Sequence, residues 1–206
     1  MKYDAIVVAG GVGKRANLGF NKVLFKMKNG KTVLENACSC FIEDNDCLKV
    51  IVVTNEDIKI ASNKVSIVKG GKERYESVLN GLALVTSPYV LIHDGARPFL
   101  DIEDLNNLKE VVSKDNYAIL AKKAVDTIKY VDDGYIDKTI DREHIYYALT
   151  PQAFKSDDLK KAYENIDLKG ITDDASIMEK CGYKVKIVEC KHSNIKLTNK
   201  EDFLNI

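Results

Sequence analysis

Short apolar runs alternate with helical repeats along most of this chain. The runs are rich in β-branched residues and apolar at consecutive positions, as in strands buried on both faces of a parallel sheet. They fall at 5–8, 50–54, 65–68, 89–93, 117–122 and 185–188. Between them, apolar residues recur at the i, i+3, i+4, i+7 spacing of amphipathic helices. The clearest stripes are Val33, Leu34, Ala37, Cys38, Phe41 and Ile42; Val78, Leu79, Leu82 and Ala83; and Leu105, Leu108, Val111 and Val112.

This alternation predicts an α/β fold, a doubly wound and mostly parallel sheet with helices on both faces. Polar residues indicate where helices begin and end. Asp101, Ser156 and Thr172 are predicted N-caps, and Gly182 is predicted to close the helix before it. The run T-N-K-E at 198–201 predicts a capping box that opens a short terminal helix.

One segment interrupts the alternation. Between Thr127 and Ile140, two alternating runs flank D-D-G at 132–134, which predicts a β-hairpin. A two-stranded ribbon is marginally stable alone, so this one either packs on another subunit or folds back onto its own domain. No repeat, low-complexity tract or linker divides the chain, and we expect a single domain over residues 1–206.

Composition narrows the classes of function. Lys plus Arg and Asp plus Glu number 31 each, so no global field favours nucleic acid or a membrane surface, and an anion site would have to be local. The five cysteines have no metal-ligand spacing, which favours reduced thiols in a cytoplasm. No leader or membrane-length apolar run is evident, and a cytoplasmic location is expected.

A glycine loop, A-G-G-V-G-K-R at 9–15, follows the first predicted strand. Its glycines allow backbone N–H groups to approach a ligand, and Lys14, Arg15 and Lys22 add charge suited to a polyphosphate. Two other interpretations remain open. The run 11–16 matches the dinucleotide fingerprint G-x-G-x-x-A, for which Glu56 only approximates the required acidic residue. The loop could also be a plain strand-to-helix turn.

Two further segments carry candidate chemistry. In H-D-G-A-R-P-F at 93–99, Asp94 follows a strand and could hold a ribose hydroxyl or Mg²⁺, while Arg97 could meet a phosphate. An Asp–Arg pair stapling the loop is the plainer alternative, and His93 is expected to be a packed strand residue. In G-G-K-E-R-Y-E-S at 70–77, helix amides and Ser77 could read a pyrimidine edge, or the glycines could only shape a turn.

Three later segments are typical, taken singly, of a turn, a cap and a strand. They are A-L-T-P-Q-A-F at 148–154, I-T-D-D-A-S at 171–176 and N-I-K-L-T at 194–198. In this order and spacing, and with D-T-I-K at 126–129 and D-R at 141–142, the motifs resemble those of the 2-C-methyl-D-erythritol 4-phosphate cytidylyltransferase family. The sister ribitol 5-phosphate cytidylyltransferases share several of them, whereas D-T-I-K and T-D-D-A-S resemble the methylerythritol branch more. Asn21-Lys22-Val23 stands where the family usually has Pro-Lys-Gln, and Ala16 replaces a usual methionine.

The resemblance implies a Rossmann-like nucleotidyltransferase that joins CTP to a sugar-alcohol phosphate and releases pyrophosphate, in non-mevalonate isoprenoid synthesis. It further implies Mg²⁺, no nucleic-acid or membrane partner, and a homodimer through an arm at 127–147. A nicotinamide-linked oxidoreductase and a non-catalytic nucleotide-binding module are the alternatives of other classes. The implied residues are Arg15, Lys22, Arg142 and Lys196 for catalysis; Ala9, Gly10, Gly11, Gly13, Lys14, Gly71, Ser77 and Asp94 for CTP; Arg97, Thr127, Arg142 and Lys196 for the acceptor phosphate; and Asp94 for the metal.

Overall fold

The computed structural model describes residues 1–11, 19–204 and 206. Gly13, Lys14, Arg15 and Ala16 lie outside the described residues. The strands are β1 Tyr3–Val8, β2 Cys47–Thr54, β3 Val65–Lys69, β4 Tyr89–Asp94, β5 Ala118–Lys123, β6 Ile128–Asp132, β7 Tyr135–Ile140, β8 Tyr146–Lys155 and β9 Lys186–Glu189. The helices are α1 Val33–Glu43, α2 Arg74–Leu82, α3 Ile102–Asp115, α4 Ser156–Asn165 and α5 Asp174–Lys180, with short 3₁₀ helices at Lys22–Leu24 and Lys200–Phe203.

Seven strands form one sheet in the order β3-β2-β1-β4-β8-β5-β9. Pairing is parallel except where β8 runs antiparallel to both β4 and β5. The predicted doubly wound, mostly parallel sheet is therefore confirmed. The six predicted strands all exist, and their ends differ from the prediction by at most three residues.

Apolar side chains cover both faces of this sheet. Along β1, Ala5 and Val7 pack into the layer beneath α1 and α3, whereas Ile6 points into the layer beneath α2, α4 and α5. Successive strand residues point to opposite faces, so a strand covered on both sides needs apolar residues at consecutive positions. The same burial leaves only the ends of the strands free to present polar groups.

The second helix buries a different stripe from the predicted one. It begins at Arg74 and buries Ser77, Val78, Gly81 and Leu82, while Leu79 remains 38% exposed. Gly81 is the reason for the shift, because a Cβ there would lie 2.8 Å from Cγ2 of Ile6. The missing side chain lets α2 approach β1 closely. The predicted stripe counted only large apolar residues, so it missed the buried face that includes Ser77 and Gly81.

Strand β8 is the main element that the sequence does not predict, since A-L-T-P-Q-A-F was interpreted as a turn. Pairing with β4 runs from Gln152 to Lys155 and stops beside Pro151, and the β5 register shifts between Ile119 and Ala121. A proline inside a sheet is tolerated at such an irregularity because it has no N–H to donate. Its peptide bond with Thr150 is cis.

Several predicted boundaries also move. Asp101 caps α3 as predicted, and Gly182, with φ of 83°, follows the last turn of α5. The cap of α5 is Asp173 rather than Thr172. Ser156 is the first residue of α4 instead of its cap, because its hydroxyl donates to the Ser87 carbonyl. The terminal capping box is formed by Asn199 and Asp202, and residues 194–198 form no strand.

The predicted hairpin is confirmed as a separate two-stranded sheet of β6 and β7. Asp133 and Gly134 both have positive φ, 44° and 81°, as a type I′ turn requires. Four large apolar residues of this ribbon are more than half exposed, namely Tyr130, Val131, Tyr135 and Ile136. Across the described part of the chain, no helix has the length and apolar character needed to cross a membrane.

Candidate active site

A cavity of about 390 Å³ opens at the carboxyl ends of β1 and β4. This edge of a parallel sheet is where α/β proteins bind ligands, because loops and helix N-termini converge there. The lining comes from five separate stretches of sequence. Its described residues are Val8, Ala9, Gly10, Gly11, Lys22, Val23, Gly71, Lys72, Glu73, Arg74, Ser77, Asp94, Ala96 and Lys196.

One side of the cavity is built from glycine backbone. A Cβ at Gly10 would lie 3.3 Å from the Ser77 hydroxyl and 3.7 Å from Cα of Gly70. A Cβ at Gly71 would overlap the side chain of Glu76, whose carboxylate accepts the Lys72 N–H at 2.6 Å. The Ser77 hydroxyl accepts the Gly71 N–H at 3.0 Å. This side therefore offers an uncharged, closely fitted surface of backbone groups.

The cavity also brings together two lysines that are far apart in the sequence. Nζ of Lys22 donates to the Leu197 carbonyl at 2.6 Å, and the Leu197 N–H donates to the Ala96 carbonyl at 2.9 Å. These bonds tie the segment 194–198 to the loop after β4 and to the 3₁₀ helix at Lys22. Lys22 and Lys196 consequently line the same cavity.

Asn21 and Val23, which depart from the family's usual pattern, are both structural. The Asn21 side chain accepts the Val23 N–H and donates to Glu56 at 3.0 Å, which caps the 3₁₀ helix. Val23 is buried in the core. These contacts hold the backbone of Lys22 in place without the proline that the family usually has at position 21. The Glu56 carboxylate accepts the hydrogen bond from Asn21. It is therefore not available as the acidic residue that would bind the ribose in a dinucleotide site.

Asp94 lies where the cations meet. Its carboxylate is 2.8 Å from Lys196 Nζ, 3.5 Å from Arg97 Nε and 3.8 Å from Arg74 Nε. Burial alone would raise the pKa of Asp94, but the three cations, with Lys196 the strongest, hold that pKa far below its usual range. Asp94 is therefore ionised throughout the physiological pH range.

His93 is fully buried and its ring is committed on both sides, as the predicted packed role requires. Nε2 lies 3.0 Å from the Arg97 carbonyl, which can only accept, so this nitrogen carries the proton. The Thr150 hydroxyl accepts the Asp94 N–H and can donate to Nδ1 at 3.0 Å. Burial lowers the pKa of His93 to about 4 and keeps the ring neutral. It offers no free base to the cavity.

The remaining predicted residues differ in position. Arg97 is buried and donates to the Asn194 carbonyl at 2.7 Å, so it supports the loop without lining the cavity. Thr127 and Arg142 lie on the exposed arm, where Arg142 donates to the Val125 carbonyl, and neither lines the cavity. Sequence reasoning assigned no role to Arg74, although it stands in the quoted G-G-K-E-R-Y-E-S motif, directly after the glycine turn.

The described lining carries an excess of positive charge. Its cations are Lys22, Lys72, Arg74 and Lys196, and its carboxylates are Glu73 and Asp94. An uncharged backbone surface beside a cationic one suits a ligand with a neutral base and an anionic tail. Such a cavity in a mostly parallel sheet is that of a Rossmann-like nucleotidyltransferase, and similar solved structures agree with this class.

A Francisella tularensis 2-C-methyl-D-erythritol 4-phosphate cytidylyltransferase has a TM-score of 0.84 and 31% identity over 97% of this chain and 96% of that one. The enzyme of that name from Thermus thermophilus has a TM-score of 0.82 and 26% identity over 99% and 96%. A Halalkalibacterium halodurans protein of the same name is 40% identical over 99% of this chain and 95% of its own length.

The family model for 2-C-methyl-D-erythritol 4-phosphate cytidylyltransferase matches residues 3–206, and the chain belongs to this family. The resemblance inferred from the motifs is thereby confirmed, as is the class of enzyme, a CTP-using cytidylyltransferase of isoprenoid synthesis. The matched family carries the methylerythritol name, which favours that acceptor over ribitol 5-phosphate and sets the oxidoreductase alternative aside.

Proposed function

We propose that CTP occupies this cavity and that its cytidylyl group passes to 2-C-methyl-D-erythritol 4-phosphate. The observation that carries the proposal is the meeting, in one cavity, of the neutral backbone at Gly10 and Gly71 with the amino groups of Lys22 and Lys196. The cytosine would lie against Ala9, Gly10, Gly11, Gly71 and Ser77, and the triphosphate would extend toward the lysines. Gly13 and Lys14 would complete the phosphate loop.

In the proposed reaction, an oxygen of the acceptor phosphate attacks the α-phosphorus of CTP. A new O–P bond forms while the bond to the bridging oxygen breaks, and pyrophosphate leaves with that electron pair. Because the attacking oxygen is already ionised, no general base is required. The neutral, fully hydrogen-bonded His93 is consistent with this chemistry. Catalysis then consists of bringing two anions together and neutralising their charge.

Four of the cations that the resemblance implies have a proposed task. Lys22, with Arg15 from outside the described residues, would stabilise the charge that builds on the α-phosphate. Lys196 would hold the acceptor phosphate, and its ion pair with Asp94 keeps it at the cavity before the substrate arrives. Asp94 would accept a ribose hydroxyl. Arg97, which the resemblance places at the acceptor phosphate, would serve that site by fixing Asp94 and Asn194.

Magnesium is proposed as the metal, held mainly by the nucleotide. Among the described residues, no group of three or more His, Cys, Asp or Glu side chains could hold a metal ion. The donor set of the described residues therefore fits an ion that would be bound chiefly through triphosphate oxygens, with Asp94 as a protein ligand. When bound, Mg²⁺ would neutralise phosphate charge.

The test of the acceptor is pyrophosphate release from CTP with methylerythritol phosphate and ribitol phosphate in parallel reactions. We expect turnover with the first and much slower turnover with the second. Preference for ribitol phosphate would overturn the acceptor assignment, and binding of CTP without pyrophosphate release would indicate a non-catalytic module.

We further propose that the arm at 127–147 pairs two copies of the chain and carries Thr127 and Arg142 into the partner's acceptor site. The exposed apolar ribbon supports this, as does the position of both residues outside their own chain's cavity. A symmetric dimer would then hold two composite sites.

Composite sites make a specific prediction about mixtures. Arg142→Glu and Lys22→Ala should each be nearly inactive, whereas a mixture allowed to exchange subunits should regain activity, because some sites draw both intact residues from different chains. Pyrophosphate release from the mixture measures this. Heterodimers detected by differential tags but lacking any recovered activity would contradict the shared-site proposal.

A further inference from the structure

Arg74 links the cavity to a buried carboxylate that does not line it. Its Nη2 donates to Oδ2 of Asp174 at 2.7 Å, and its Nε lies 3.8 Å from Oδ1 of Asp94. The guanidinium therefore stands between one carboxylate inside the protein and one at the cavity. Burial disfavours the charge of Arg74, but the attraction of Asp174 outweighs it and raises the pKa of Arg74.

Asp174 is held on every side. Its side chain is fully buried, and Oδ1 accepts the Tyr163 hydroxyl at 2.6 Å. The Asp174 N–H and that of Ala175 donate to Oε1 of Gln152 at 3.0 and 2.9 Å. Gln152 in turn donates to Asp173 at 2.8 Å. These bonds fix the first turn of α5 and leave the carboxylate no alternative orientation.

The same contacts tie Asp174 to the strand that carries Asp94. Gln152 lies on β8 opposite Ile92 of β4, two residues before Asp94. The Asp94 N–H also donates to the hydroxyl of Thr150, another β8 residue. The positions of Asp174 and Asp94 are thus both fixed by contacts with β4 and β8. Arg74 bridges the two carboxylates. A guanidinium suits this position because its planar fork holds Nε and Nη2 in fixed, separate directions, one toward each carboxylate, whereas an ammonium has a single donor atom.

Stability alone does not explain this arrangement. Burying an ion pair costs desolvation that apolar packing would avoid, so a buried pair is weak evidence for a stabilising role. The Nε edge of the Arg74 guanidinium faces Asp94, a carboxylate at the cavity that Lys196 and Arg97 already contact. The T-D-D segment at 172–174 also has no contact role in the proposed reaction, although it is part of the motif set.

We infer that Asp174 and Arg74 are positioning residues, with Asp174 orienting Arg74 and Arg74 orienting the Asp94 carboxylate for the nucleotide ribose. The inference rests on the proposed function, in which CTP occupies this cavity. It assigns the T-D-D segment to nucleotide binding through Arg74, without contact between that segment and the nucleotide.

The test compares Asp174→Asn and Arg74→Lys with the matched control Asp44→Asn. Asp44 also accepts a tyrosine hydroxyl and a cation, from Tyr3 at 2.8 Å and Lys109 at 2.7 Å, but does not line the cavity. We expect Asp174→Asn and Arg74→Lys each to raise KM for CTP on the order of tenfold, the worth of one charge-assisted hydrogen bond, with a smaller change in kcat. Asp44→Asn should lower Tm and leave KM unchanged.

The double variant separates positioning from independent effects. If Asp174 acts through Arg74, Asp174→Asn should add little to the KM of Arg74→Lys, which is non-additive behaviour. Additive effects, or a wild-type KM in folded Asp174→Asn, would overturn the inference. The proposed function would still stand if the wild-type protein turned over CTP. Should Asp174→Asn fail to fold, a wild-type KM in the more exposed Arg74→Lys would overturn it equally. Wild-type protein that bound no CTP by calorimetry would overturn both.

Discussion

The two ends of the sheet hold similar ionic groups with different consequences. At the amino end, Asp44 and Asp46 meet Lys109 at 2.7 and 3.1 Å, and Asp46 also meets Lys2 at 3.3 Å. At the carboxyl end, Asp94 meets three cations around a cavity. The amino-end groups satisfy one another, whereas the carboxyl-end lining retains excess positive charge. Charge that is internally balanced stabilises the fold, and charge in excess beside a cavity is available to an anionic ligand.

At the amino end, Lys109, Asp44 and Asp46 stabilise one another's charged forms. Burial disfavours the charge of Lys109, but hydrogen bonds to Asp44 and Asp46 outweigh it and raise the pKa of Lys109. Burial would raise the pKa of Asp44, but Lys109 and the Tyr3 hydroxyl lower it. Each group stabilises the charge of the other, and none of these charges is left for a ligand.

The largest expected effect contrasts one lysine from each end. Lys22→Ala should reduce kcat by ~10²–10³-fold, since it removes a donor from the developing charge on the α-phosphate, and should lower Tm only slightly, through loss of the hydrogen bond to Leu197. Lys109→Ala should cost roughly 2–3 kcal/mol of unfolding free energy, less than for a fully buried pair because both partners retain some exposure, and should preserve kcat. Pyrophosphate release and denaturant unfolding measure the two quantities. A loss of stability in Lys22→Ala together with a loss of kcat in Lys109→Ala would contradict the proposed difference between the two ends of the sheet.

A second prediction concerns His93, which lies beside the carboxyl-end cluster. Its pKa is about 4 in the folded state and ~6.5 when unfolded. Between these values the unfolded chain binds a proton that the folded chain does not, so stability is complete above pH ~6.5 and falls as the pH drops toward 4. The expected loss is roughly 3 kcal/mol. Unfolding free energies from pH 7 to 4 measure it.

The control for that measurement is His93→Gln, which has no titrating ring. Its stability should be lower at pH 7 because the ring packs against Phe41, yet the slope between pH 7 and 4 should be shallower than in the wild type. Equal slopes would show that other groups cause the acid sensitivity.

The smallest expected effect comes from an exposed ion pair whose lysine–carboxylate distance equals that of the buried Lys109–Asp44 pair. Lys114 meets Glu110 at 2.7 Å, the same distance as Lys109 to Asp44, but both Lys114 and Glu110 are 68% exposed. Water and salt screen such a pair, so Lys114→Ala should leave Tm and kcat unchanged. A Tm loss comparable to that of Lys109→Ala would mean that burial does not distinguish the two pairs.

Prediction from sequence succeeded where one local property decided the structure. The six apolar runs became strands because a sheet covered on both faces needs consecutive apolar residues. The D-D-G turn became a hairpin because aspartate and glycine tolerate positive φ. Prediction failed for β8, whose proline is accommodated at a register shift that depends on its neighbours β4 and β5.

The segment 194–198 shows the same limit at the site. Its alternation predicts a strand, yet the Asn194 amide donates to the Thr150 carbonyl and the Leu197 N–H donates to that of Ala96. The segment's hydrogen bonds therefore go to single carbonyls of β8 and of the loop after β4, and it forms no ladder with a neighbouring strand. Nothing local to these residues specifies those partners.

The sequence by itself determined the class of fold, the family and the chemical character of the glycine-rich segments, because these depend on residue type and spacing. Only the tertiary structure decided that Lys22 and Lys196 share one cavity, that Arg97 lies behind it, and that Arg74 spans Asp94 and Asp174. These contacts join residues up to 175 positions apart. Their geometry is set by how helices and loops pack on the sheet, and a linear pattern contains no information about that packing distance.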